Sequence, residues 1–97
     1  MEKKNPESVG DVLRSMLEQT DLQHRMDELK AADLWPYITG PDIAAECSKP
    51  VVKNGLMTIG VKNASLRQEM HMNRSRIIEI INSHLGKEII TEIRFIS

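Results

Sequence analysis

Between Pro50 and Val61 the segment PVVKNGLMTIGV sets Asn54-Gly55 between two short apolar-rich runs. That pair constrains the fold more than any other feature of the chain. A two-residue hairpin connection of type I′ needs positive φ at both central residues, and Asn followed by Gly meets that need at least cost. Placing the turn there sets Val52 opposite Met57 and Pro50 opposite Ile59. Those four residues and Val61 then share one face, while Val51, Lys53, Leu56, Thr58 and Gly60 share the other. Asn54 and Gly55 are structural residues in this reading. An isolated hairpin is marginal in water, so the flanking segments must cover its apolar face.

The downstream flank supplies a helix and a strand. Ser65–Leu85 has helical periodicity, with Leu66, Met70, Ile77 and Ile81 on one ridge, Ser65 with Gln68 as a capping box and Gly86 as the terminating glycine. EIITEIRFIS then alternates as a third strand. A helical crossover permits parallel pairing, so a small mixed sheet is expected.

Upstream, Val9, Val12, Leu13, Met16 and Leu17 form an amphipathic stripe opened by Ser8 with Asp11. Thr20-Asp21 offers a break and a new cap, after which Leu22, Met26 and Leu29 carry a second helix toward Trp35. Pro36 disfavours helical geometry at Trp35. Gly40-Pro41 ends that helix, and a short turn of helix follows over Asp42–Cys47. Trp35 reads as a core plug where helices meet the sheet. The fold class is α+β, in the order α-α-β-β-α-β, with a three-stranded mixed sheet packed against helices. Residues 1–7 read as a flexible N-terminus and 8–97 as a single domain.

With 97 residues, the chain has room for one small core. Its one cysteine, Cys47, excludes an internal disulfide framework or a cysteine zinc site. The start has no secretory signal, and no run is long enough to cross a bilayer, so the expected location is cytoplasmic with no membrane partner. His24, His71 and His84 lack metal-site spacing, and Cys47 has no base tied to it by sequence. Asp27-Glu28 reads as solvated charge on a polar helix face. With no phosphate-binding glycine motif, the chain reads as a non-enzyme without cofactor or metal.

The net charge of -1 conceals polarity. Residues 1–47 hold ten acids and five bases, whereas 48–97 hold four acids and eight bases. Arg67, His71 and Arg74 recur at i, i+4 and i+7 beside the apolar ridge. With Lys62, Arg76 and the more distant Lys53 they make a candidate surface for DNA or RNA phosphates, weak and salt-dependent. The alternative is a protein-interaction or homodimeric adaptor that never touches nucleic acid. The acidic first half, outward Met72 and a free edge strand support it. The sequence leaves the oligomeric state open.

The order of these elements resembles the DciA-like family, a bacterial domain-of-unknown-function group. Trp35, Ile38, Gly40, Ile43 and Ala44 match its first part, Leu56 and Val61 its hairpin, and Leu66 to Asn82 its long helix. Ile93 and Phe95 match its closing strand. The resemblance runs from about Val9 and implies a KH-like fold. It also implies a non-catalytic role with nucleic acid, assisting the replicative DNA helicase. Two departures stand out. No G-x-x-G loop is present to clamp a nucleic-acid backbone, and no long basic tail follows the last strand.

Overall fold

The computed structural model describes residues 8–97, and the side chains of all of these except 17–20. The expected loose N-terminus, 1–7, lies outside the described residues, as does the side chain of Leu17. The elements are α1 (Val9–Asp33), α2 (Trp35–Thr39), α3 (Pro41–Ala45), β1 (Val51–Lys53), β2 (Leu56–Gly60), α4 (Ala64–Met72), α5 (Arg74–Leu85) and β3 (Glu92–Ile96). The α+β class and the element order are as the sequence implies, and the order is compatible with a KH-like fold.

The hairpin forms in the expected register. Asn54 and Gly55 both take positive φ, 51° and 85°, as a type I′ turn requires. Val52 pairs with Met57 across an antiparallel ladder. β3 pairs parallel to β2, Met57 opposite Ile93 and Ile59 opposite Phe95, giving the strand order β1-β2-β3. Met57, Ile59, Val61 and Ile93 point into the core with Trp35, Met70, Ile81 and Ile90. The opposite sheet face has no helix over its exposed side chains, among them Val51, Lys53, Glu92, Arg94 and Ile96.

Helix boundaries depart from expectation in three places. α1 runs unbroken through Thr20-Asp21. Neither residue lacks a backbone N–H or forbids helical φ, so each costs only a few tenths of a kcal/mol against an intact hydrogen-bond ladder. The long helix expected over Ser65–Leu85 instead divides at Asn73, whose Nδ2 donates to the Glu69 carbonyl (2.8 Å) while Arg74 donates to that of His71 (2.9 Å). Side chains thus satisfy the carbonyls that a continuing ladder would use. The cap of α4 is Asn63, not Ser65, its Oδ1 accepting from the Leu66 amide at 3.0 Å.

α1 also outruns the body. Val9, Val12, Leu13 and Met16 are exposed, although their stripe reads as core-facing. The protein spans 62 Å along its longest axis and about 20 Å across. Its radius of gyration is 18.0 Å, against about 13 Å for a compact chain of this length. Only the C-terminal part of α1, with Ala31 and Ala32 buried, belongs to the core.

Trp35 is buried as expected, with its ring centroid 6.3 Å from that of Phe95. Gly40, at φ 90°, joins α2 to α3 in a conformation that favours glycine. It was expected to take the left-handed helical cap, but its ψ of 156° places it in extended backbone of positive φ. The reading of Asp27-Glu28 as solvated charge does not hold: both carboxylates are buried. Asp27 meets Lys87 at 2.7 Å and Gln23 at 3.1 Å. Glu28 accepts from the Gly55 amide, also at 3.1 Å. α1 reaches the sheet through this polar seam, which the local pattern alone cannot reveal. No described helix is long and apolar enough to cross a membrane.

Candidate nucleic-acid interface

The break at Asn73 shapes the most cationic concavity. α4 ends at Met72 and α5 begins at Arg74, so the junction presents His71 and Arg74 toward β3. The Arg74 guanidinium is held there by the His71 carbonyl (2.9 Å) and stands 3.2 Å from His71 Nε2. β3 is an edge strand, bonded only to β2 on its inner side. Between junction and strand lies a cleft of about 320 Å³ lined by His71, Arg74, Glu92, Ile93, Arg94 and Phe95. Its two arginines exceed its one carboxylate, and a protonated His71 adds a further positive charge.

Of the six cations picked out by sequence, the structure brings two, His71 and Arg74, into this cleft. Arg67 is half-buried, and its guanidinium donates to the Val61 carbonyl at 2.6 Å. It thereby fastens α4 to the end of β2. Lys62 lines a separate cleft with Cys47, Ser48, Gly60 and Ser97, of about 390 Å³. Lys53 lies on the far side of the sheet, in a cleft with Arg25, Leu29 and Val51. Arg76 sits on the outer surface of α5 beside Glu79, Ile80, Ser83 and His84. The i, i+4, i+7 stripe thus does not persist as one row, because it crosses the helix break and one member turns inward.

Arg94 is the residue that sequence reasoning missed. The alternation of EIRFI did place it opposite Ile93 and Phe95, hence outward, but no local feature tied it to His71 and Arg74. Only the parallel docking of β3 beside the helix junction does so.

Backbone donors, forked cations and an open edge are means of holding an anionic polymer by its phosphates. Fold and site together define a small α+β domain with a cationic cleft beside an edge strand. The family model described as Dna[CI] antecedent, DciA, matches residues 8–95, and the chain belongs to that family. The family is associated with loading of the replicative helicase DnaB. No curated protein matches the chain.

Proposed function

We propose that this protein is a non-catalytic accessory module of DNA replication that binds nucleic acid and acts beside the replicative helicase. The family membership supports the replication role. The observation that carries the nucleic-acid reading is the meeting of Arg74, Arg94 and His71 along the free edge of β3. Arg74 and Arg94 take the phosphates, His71 adds charge when protonated, and the uncovered strand edge offers backbone donors.

Fluorescence anisotropy with single- and double-stranded oligonucleotides at low salt tests this reading. With two or three phosphate contacts, the logarithm of affinity falls with that of salt at a slope of about -2 to -3. The double charge reversal Arg74→Glu with Arg94→Glu abolishes binding, whereas Arg76→Glu, on another surface, leaves it intact. No binding at low salt, or equal loss from all three substitutions, sinks the proposal. The helicase arm is tested separately, by capture of purified helicase in the presence of nuclease.

A further inference from the structure

We infer that α1 is a self-association helix, pairing antiparallel with α1 of a second copy of this chain. Six apolar side chains lie on its surface: Val9 (76% exposed), Val12, Met16, Leu22, Met26 and Leu29 (65%). The first three are spaced three and then four residues apart, and the last three four and then three. The two sets are mirror images about the backbone of Gln19. A two-fold axis there sets Val9 against Leu29, Val12 against Met26 and Met16 against Leu22, so that one pattern serves both chains. This palindrome is what an isologous interface requires, because each copy must supply both halves of every contact. A different partner would impose no such symmetry on the sequence.

Spacings of three and four are those of a coiled-coil seam. The step from Met16 to Leu22 contains an extra three residues relative to the heptad, the insertion that overwinds a left-handed pair. The seam accordingly turns by roughly 100° around α1 between its two halves. Geometry leaves room for this pairing. The N-terminal half of α1 projects beyond the body, and the Leu22, Met26 and Leu29 side chains point away from the buried Ala31 and Ala32. Each body therefore sits at its own end of the pair. The partner's Val9 arrives at the cleft where Leu29 meets exposed Val51. Beside the seam, the stem of Arg25 faces the partner's Leu13, and no like charges are apposed there. A projecting helix of this length is marginal by itself in water, so pairing also accounts for its persistence.

Sedimentation of the full chain over a micromolar concentration series tests the association. Twice the chain mass is expected, and Met26→Glu or Val12→Glu should raise the dissociation constant at least about 100-fold. Circular dichroism confirms that each variant folds. Direction is read by cross-linking with Cys47→Ser as background. Val12→Cys with Met26→Cys should form a covalent dimer under oxidation, and Val12→Cys alone should not. A chain that remains monomeric throughout the series overturns the proposal. So does unaltered association in both glutamate variants, or a covalent dimer from Val12→Cys alone, which would report parallel chains.

Discussion

Glu28 on α1 accepts the backbone N–H of Gly55 at the hairpin turn, 3.1 Å away and 27 residues further along the chain. The same carboxylate oxygen lies 3.1 Å from His24 Nε2. The tight turn that starts the sheet is thereby tied to the helix that flanks it. Glu28→Ala leaves a buried amide without an acceptor and should cost about 1–3 kcal/mol in urea unfolding. Glu28→Gln retains an acceptor oxygen and should cost less. Equal stability of the alanine variant and the parent would show that the tie contributes nothing.

Asp27 should govern part of the acid sensitivity. The hydrogen bond from Lys87 holds its carboxyl below the ordinary value of 3.8, against the opposing effect of burial. A group whose folded pKa is depressed contributes stability above its unfolded value and loses that contribution as pH falls through the folded one. Melting temperature should therefore drop as the pH falls below the ordinary carboxylate range. Lys87→Met should flatten that acid limb while lowering stability near neutrality. A pH profile unchanged by the substitution would refute the assignment.

Asn82 holds the connection between α5 and β3. Its Oδ1 accepts from the amides of Ile89 (3.0 Å) and Ile90 (2.9 Å), and its Nδ2 donates to the Ile90 carbonyl at 2.9 Å. Asn82→Ala strips both amides of their acceptor and should cost about 2–4 kcal/mol, measured by chemical denaturation. Asn82→Asp retains the acceptors, forfeits the donor and should fall between the two.

Arg67 and Arg94 should separate folding from binding. Arg67 spends its guanidinium on the Val61 carbonyl. Arg67→Ala should therefore lower stability by about 1–2 kcal/mol. Arg94 is exposed on the open sheet face. Arg94→Ala should alter stability by less than about 0.5 kcal/mol and should weaken oligonucleotide binding in the anisotropy assay. The reverse pattern would return Arg67 to the binding surface.

Much of the fold was legible because its signals are local. Asn54-Gly55 specifies a turn through backbone sterics, and alternation then assigns every strand residue to a face. The buried positions of Met57, Ile59, Val61 and Ile93 follow from period two, and those of Met70 and Ile81 from the helical period. The candidate site was legible only in part. His71 and Arg74 carry a helical spacing that can be read from the chain, yet the same spacing implicated Arg67, which turns inward.

By itself, the sequence determined the class of fold, the hairpin register, the plug at Trp35 and the terminating Gly86. Each depends on neighbours within a few positions and on backbone conformations that few residues accept. Only the tertiary structure decided that α1 passes through Thr20-Asp21 and outruns the body, that Asp27 and Glu28 are buried, and that Arg94 joins His71 and Arg74. Those outcomes turn on partners 20 to 60 residues away: Lys87 for Asp27, Gly55 for Glu28, and β3 for the helix junction. A carboxylate on a helix reads as solvated until the amide or ammonium that replaces its water is in place.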